Sequence, residues 1–174
     1  MSQKQAVTPH QESKRPRLPL AGPYGHPLHP ILVTIPIGAW VASLIFDLAA
    51  IFGSSVEAFT RGAVWLIGIG IVGAILAAIL GLLDFSNLRA GTRAHRVGLM
   101  HLTINSIVLV LFIAGFLVRR GSDYSQVSGT GVVISIVALA MLGVSGWLGG
   151  NLAYKYGVRV ADESVQAEGF RAAD

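Results

Sequence analysis

Four long runs of apolar residues alternate with short polar stretches along the chain. The apolar runs cover residues 31–52, 62–83, 97–118 and 131–153. A helix of roughly 20 apolar residues is long enough to cross the hydrocarbon core of a bilayer. Because the runs are continuous and lack the alternation of barrel strands, each should be a helix that satisfies its own backbone hydrogen bonds. The pattern predicts an all-α fold, an integral membrane bundle of four transmembrane helices.

The connections between these runs predict the topology and the domain boundaries. They read GSSVEAFTR, DFSNLRAGTRAHR and RRGSDYSQVSGTG, short enough that neighbouring helices should run antiparallel. We interpret residues 25–157 as the transmembrane domain. Residues 1–24 are interpreted as a flexible basic cytoplasmic arm and residues 158–174 as a polar cytoplasmic tail. Apart from histidines near the starts of runs one and three, no internal repeat is evident in the sequence.

The composition supports a membrane location and limits the possible partners. The chain has 174 residues, of which 53% are hydrophobic and 13% charged, against about 25% charged in soluble proteins. Contact with the lipid bilayer is therefore expected. Basic residues flank the apolar runs without forming a stripe with interleaved aromatics, which argues against nucleic acid as a partner. Cysteine is absent, so a metal would need histidine, carboxylate or carbonyl ligands.

The lysines and arginines are distributed unequally between the two ends of the predicted bundle. Ten lie on the side of the two termini and three on the opposite side. By the positive-inside rule, the termini should be cytoplasmic and the protein should lie in the inner (plasma) membrane. The ten are Lys4, Lys14, Arg15, Arg17, Arg89, Arg93, Arg96, Lys155, Arg159 and Arg171, and the three are Arg61, Arg119 and Arg120.

Small residues and one proline predict how the helices pack. Small residues at four-residue spacing let membrane helices approach closely, either inside the bundle or at a face for a partner subunit or homodimer. This spacing joins Gly73, Ala77 and Gly81 in run two, and Gly146 and Gly150 in run four, with Gly143 and Gly149 nearby. Pro36 cannot bond to the carbonyl of Leu32 and predicts a kink. Trp40 and Trp147 are expected to pack inside the bundle, because they lie away from the predicted ends.

Histidines mark one end of the predicted bundle. His26 and His29, in GHPLHP, precede run one, whereas His95 and His101 begin run three. His95 and His101 are separated by about 9 Å of rise and about 240° of rotation, so they are poorly placed to bind one metal together. Asn105 lies one turn beyond His101 on the same face, and a polar stripe within a span should face the bundle interior.

The histidines suggest a cofactor site near the cytoplasmic face. His29 and His101 are the candidate ligands of a b-type haem iron, or of another imidazole-preferring metal, between spans one and three. The candidate supporting residues are His26, His95, Asn105, Arg93 and Arg96, the last two for haem propionates. The alternative is purely structural: Pro30 begins a helix, His29 caps it or lies in an interface, and His101 bonds across helices without a cofactor.

Two carboxylates in the apolar runs also need partners. Asp47 is expected either to pair with Arg61 or to serve proton or ion transfer. Asp84 is expected to pair with Arg89, Arg93 or Arg96. No catalytic constellation accompanies either carboxylate, and whether the protein is an enzyme stays open.

Four stretches of the sequence resemble a known family. They are HPLHPILVTIPIG, the Asp84 that ends run two, GTRAHRVGLMHLTIN and GWLGGNLAYKYGVRV. Over residues 24–161 the chain resembles the bacterial four-span membrane family catalogued as domain of unknown function 2231. The resemblance implies a four-helix membrane domain without an established activity, in which some relatives look fused to Rieske or cytochrome-type modules. It matches His101 and Asn105 to the family's histidine and asparagine, whereas His95 stands where arginine is common.

Two functional hypotheses follow from the sequence. The first is a small redox module that passes electrons between a haem and a quinone or an associated soluble partner. The second is a non-catalytic membrane scaffold or accessory subunit that binds a partner through glycine-rich helix faces. Transport is a weaker third hypothesis, since four spans are few and no broken half-helices are visible.

Overall fold

The computed structural model describes residues 7–171, and four long helices dominate it. Span one covers His29–Phe52, span two Val56–Phe85, span three Arg93–Arg120 and span four Gly129–Lys155, each long and apolar enough to cross a membrane. The predicted all-α membrane bundle is confirmed. The helices extend a few residues beyond the predicted runs, because Thr92 and Ser128 cap spans three and four through their side-chain oxygens.

Span one is interrupted near its start, where the sequence predicted a kink. It consists of a short helix, His29–Leu32, and a longer one, Thr34–Phe52, which meet at Val33. Pro36 lies in the first turn of the longer helix and has no N–H to donate to the carbonyl of Leu32. The interruption therefore follows from the missing hydrogen bond.

The bundle is built from two antiparallel helical hairpins. Hairpin one joins spans one and two, and hairpin two joins spans three and four; the helices within each hairpin pack more extensively than those of different hairpins. The spans follow one another around the bundle, so spans one and three lie diagonally opposite. We call the end that holds His29 and His101 the histidine end, and the other the Asp47 end. Both termini of the described chain lie at the histidine end.

An aromatic pair fills the centre of the bundle. Trp40 of span one stacks on Phe112 of span three, with ring centroids 4.0 Å apart and an interplanar angle of 11°. Ile67, Val108 and Ala138 complete this buried cluster. Gly70 lies against the indole, and a Cβ there would overlap the Trp40 ring. Away from the core, apolar side chains cover the outer faces of all four spans, as expected for contact with lipid.

Trp147 does not pack inside the bundle, contrary to the prediction, because 75% of its surface is exposed. Span four turns Ser145 and Gly149 towards span three, and residue 147 lies about 200° around the helix from Ser145. The indole therefore points outward. Of the two tryptophans predicted to pack inside, only Trp40 is buried.

Segments outside the spans cover the histidine end. Helix Pro9–Lys14 begins with a capping box at Thr8, and Lys14 is buried with its ammonium 3.3 Å from the carbonyl of Ala161. The segment predicted to be a flexible arm thus contains a helix and packs against the C-terminal segment. That segment contains helix Glu163–Glu168. Residues 1–6 of the predicted arm and 172–174 of the predicted tail lie outside the described residues.

Candidate histidine site

His29 and His101 face each other across the bundle diagonal. Their ring centroids are 6.4 Å apart, and their planes are inclined at 87°. His29 belongs to span one and His101 to span three, so one imidazole comes from each hairpin. The structure therefore brings together the two histidines that the sequence had paired.

A backbone carbonyl of span two holds His29. Its Nδ1 lies 2.8 Å from the carbonyl oxygen of Ala77. Gly81 follows Ala77 by one helical turn, and a Cβ at that position would lie 3.0 Å from Cε1 of the imidazole. The missing side chain therefore leaves room for the ring beside the carbonyl.

Hairpin two holds His101 in the same way. Its Nδ1 lies 2.8 Å from the carbonyl oxygen of Ser145 and 3.0 Å from the hydroxyl of that residue. Gly149 follows Ser145 by one turn, and a Cβ there would lie 3.1 Å from Cε1 of His101. Each hairpin thus fixes its histidine with a carbonyl on the neighbouring helix and a glycine four residues later.

These contacts determine which nitrogen of each imidazole carries a hydrogen. A carbonyl oxygen only accepts hydrogen bonds, so Nδ1 must be the donor in both rings and, in the neutral form, Nε2 keeps its lone pair. Nε2 of His101 lies 3.1 Å from Nδ2 of Asn105, which donates to it. The same amide nitrogen lies 3.0 Å from the carbonyl oxygen of His101.

The other predicted site residues lie apart from this pair. His26 is exposed in the segment before span one, and Arg96 is exposed at the start of span three. His95 packs against the ring of Phe85, with centroids 4.9 Å apart. The structure thus groups His29, His101 and Asn105, and leaves His26, His95 and Arg96 outside the group.

Asp84 pairs with a residue that the sequence had not suggested. Its Oδ1 lies 2.7 Å from Nε of Arg159, not near Arg89, Arg93 or Arg96 as predicted. The contact is an ion pair, and neither of these two atoms makes a hydrogen bond within residues 7–171. Arg159 is reached because the chain folds back after span four, where it adopts a left-handed conformation with φ of 61°.

Arg159 also ties the N-terminal segment to the histidine end. Its Nη2 donates to the carbonyls of Ala21 and Gly22, each at 3.0 Å. Asn87 is 1% exposed, and neither atom of its amide has a hydrogen-bond partner among residues 7–171. Sequence reasoning had no signal for this cluster beyond the polarity of Asp84 and Asn87 at the end of span two.

Asp47 also has a different partner from the predicted one. Its Oδ2 lies 2.6 Å from Nη2 of Arg119, whereas Arg61 pairs with Glu57. Arg119 is 4% exposed and donates a further hydrogen bond to Ser135 Oγ at 3.1 Å. The predicted pairing with Arg61 is wrong because the two side chains face different ways. Asp47 is buried near the bundle axis, whereas Arg61 is largely exposed.

Three contacts across the diagonal share one sequence separation. Asp47 and Arg119 are 72 positions apart, as are Trp40 and Phe112, and His29 and His101. Together with the two equivalent histidine contacts, this regular spacing shows that the hairpins repeat each other structurally. No repeat is evident in the sequence because the paired residues are mostly of different types.

The fold and the buried polar residues define a class, the multi-pass membrane proteins of the four-helix type. Within that class, a family model described as "Predicted membrane protein (DUF2231)" matches residues 25–162. The chain belongs to this family. No curated protein and no solved structure matches the chain.

Proposed function

We propose that His29 and His101 would hold the iron of a b-type haem, and that the protein is a small membrane redox module. The observation that carries the proposal is the pair of imidazoles, one from each hairpin, facing each other at 6.4 Å between centroids. Two nitrogens that bind one metal from opposite sides lie about 4 Å apart, since each metal–nitrogen bond is about 2 Å. The centroid separation of 6.4 Å is of the size that one metal between two imidazole nitrogens requires.

The hydrogen bonds of the imidazoles support the proposal. Metal-binding histidines usually donate the other ring N–H to a carbonyl or carboxylate, which fixes the tautomer and the ring orientation. Nδ1 of both rings makes such a contact, with Ala77 and Ser145. Nε2 would therefore be the nitrogen that holds a metal, and in His101 this nitrogen is the one that now accepts a hydrogen bond from Asn105.

The small number of protein ligands favours haem over a bare metal ion. Within residues 7–171, no group of three or more His, Cys, Asp or Glu side chains is placed to hold a metal ion. A structural zinc site needs four ligands, whereas a haem iron takes only its axial ligands from the protein. Arg93 and Arg96 do not contact the histidine pair, but both are exposed at the start of span three and would supply positive charge for the propionates at the surface.

The bound haem would supply one-electron transfer. The protein residues hold the imidazoles in one tautomer and exclude water from their Nδ1 edges. The electron partner in this proposal is a quinone in the bilayer or an associated soluble protein. The site would lie towards the cytoplasm of an inner membrane, because nine of the 12 lysines and arginines among residues 7–171 are on the side of the histidine end.

An absorption spectrum of the protein, purified in mild detergent from haem-supplemented cells, tests the proposal. A Soret band that shifts on reduction, and disappears in both His29→Ala and His101→Ala, is the expected result. His95→Ala is the matched control, because His95 starts the same helix but packs against Phe85. A colourless wild-type protein that also fails to take up added haemin would reject haem binding. Elemental analysis of the same sample reports any bare metal ion.

A second candidate function is that of a scaffold or accessory subunit, favoured by the outward face of span four. Gly143 and Gly146 are exposed, and a Cβ at either would meet no atom of the described chain within 4 Å. Gly146→Leu should then disrupt a native complex or homodimer, while Gly38→Leu, at an equally open position of span one, should not. An unchanged complex in Gly146→Leu would count against this role.

A further inference from the structure

The structural repeat gives the Asp47–Arg119 pair a role that is independent of the histidine site. Spans one and three meet at three levels, and at each level the contacting residues are 72 positions apart. Equivalent residues of two repeats meet in this way only near an axis of approximate twofold symmetry. The long axis of the bundle, between spans one and three, is therefore such an axis.

Around a twofold axis, each hairpin would also fit a second copy of itself. In a symmetric pair of identical units, a residue on the axis contacts its own copy. Two copies of hairpin one would place His29 against His29 and Trp40 against Trp40. Two copies of hairpin two would place Phe112 against Phe112. Imidazoles and aromatic rings tolerate such contacts. Neither the histidine level nor the aromatic level therefore determines which hairpin is the partner.

The Asp47–Arg119 level distinguishes the other hairpin from a second copy of the same hairpin, because its two residues carry opposite charges. Self-pairing would bring two Asp47 carboxylates, or two Arg119 guanidinium groups, together in a site where both side chains are at least 95% buried. Like charges in such a place strongly disfavour the arrangement. The discrimination matters in a membrane, where lipid removes the hydrophobic drive that would otherwise favour one partner.

The surroundings of Arg119 strengthen the distinction between the hairpins. A Cβ at Gly131 would lie 2.8 Å from the Cζ atom of Arg119, and one at Gly115 would lie 3.2 Å from its Nη1. Ala77 and Ser145, whose carbonyls hold the two histidines, align spans two and four at a separation of 68 positions (145 − 77), so Ala63 corresponds to Gly131. Ser43 lies 72 positions before Gly115 and corresponds to it. Only hairpin two therefore has the open backbone that accommodates a guanidinium group.

We infer that the Asp47–Arg119 pair specifies which hairpins pair, directing hairpin one to hairpin two and preventing either from pairing with a second copy of itself. The partner that it excludes is another copy of this chain. The pair thereby ensures that His29 meets His101, although the inference holds whether or not those histidines bind a cofactor.

Complementary charge reversals in two full-length chains test this inference. One chain carries Arg119→Asp and the other Asp47→Arg, each with a different affinity tag. When either chain is expressed alone, positions 47 and 119 carry like charges that face each other. Each chain should then yield little folded monomer. Expressed together, the chains can exchange hairpins, which restores an Asp47–Arg119 contact and creates an Arg–Asp contact. We expect at least a tenfold enrichment of complexes with both tags over co-expressed wild-type chains.

Asp47→Asn with Arg119→Gln is the neutral control, because it removes attraction and repulsion together. This double variant should retain more folded monomer than either charge reversal alone. Two results would overturn the inference: charge reversals no more harmful than the neutral double variant, or an amount of the two-tag complex no greater than that from co-expressed wild-type chains. None of these readouts depends on haem, so they are separate from the test of the histidine site.

Discussion

The indole of Trp40 lies nearly parallel to the ring of Phe112, at an interplanar angle of 11°, and divides the interior of the bundle into two polar ends. Trp40 also donates from Nε1 to the carbonyl of Ile67, at 3.3 Å. The ring can take this position only because Gly70 has no side chain.

Gly70→Ala should therefore destabilise the bundle by about 1–3 kcal/mol, since the added methyl group overlaps a fully packed ring. The measurement is the free energy of unfolding in mixed detergent and SDS micelles. Gly38→Ala is the control, because a Cβ at Gly38 meets no atom of the described chain within 4 Å. Equal unfolding energies for the two variants would contradict the packing of Trp40 against Gly70.

A side chain at Gly149 should disturb His101, whereas one at Gly150 should not. A Cβ at Gly149 would lie 3.1 Å from His101 Cε1, and one at the adjacent Gly150 would meet nothing within 4 Å among the described residues. Gly149→Leu should therefore displace the imidazole from Ser145. The proton bound to Nδ1 of His101, observed by NMR in detergent, should lose its hydrogen-bonded shift in Gly149→Leu and keep it in Gly150→Leu.

Arg119→Gln should destabilise the protein by about 3–5 kcal/mol, because it leaves the Asp47 carboxylate buried without its counter-charge. The unfolding energy in mixed micelles measures the loss. Arg120→Gln is the matched control, since Arg120 is the exposed neighbour in the same helical turn. Adding Asp47→Asn to Arg119→Gln should recover most of the lost stability. If the double variant is no more stable than the single one, the ion-pair explanation is wrong.

Arg159→Gln should release the N-terminal segment from the histidine end. The variant removes the donor to the carbonyls of Ala21 and Gly22 and leaves Asp84 buried without its partner. Deuterium uptake across residues 8–24 should rise, while uptake in the four spans changes little. Arg89→Gln, a change at an exposed arginine of the same end, provides the reference. Unchanged uptake in Arg159→Gln would show that the segment is anchored by other contacts.

The sequence predicted the fold well because four uninterrupted apolar runs in a membrane have few alternatives to helices. It also suggested His29 and His101 as a pair, since both begin parallel spans at the same end. It did not predict the partners of Asp47 and Asp84. Those depend on the rotation of each helix and on the path of the chain after span four, and neither is encoded in hydrophobicity alone. The nearly uniform apolar surface of a span hides which face is internal.

The residues that position the histidines were also only partly predictable from the sequence. The sequence pattern predicts Gly81 to be a packing residue, and Gly149 to be one of several glycines in span four. Their specific function, to open the carbonyls of Ala77 and Ser145 to an imidazole, depends on the register between two helices. The four-residue spacing from Ala77 to Gly81 and from Ser145 to Gly149 is visible in the sequence, but many other pairs of small residues share it.

The stacked rings at the centre also separate the histidine end of the bundle from the Asp47 end. His29 and Asp47 are 18 positions apart, which corresponds to about 27 Å along a helix, and the layer between them is closed by Trp40, Phe112 and their apolar neighbours. Water has no continuous polar route through such a layer. Under the proposed function, protons taken up or released at the histidine end would therefore enter and leave by that same side, without dissipating a proton gradient across the bilayer.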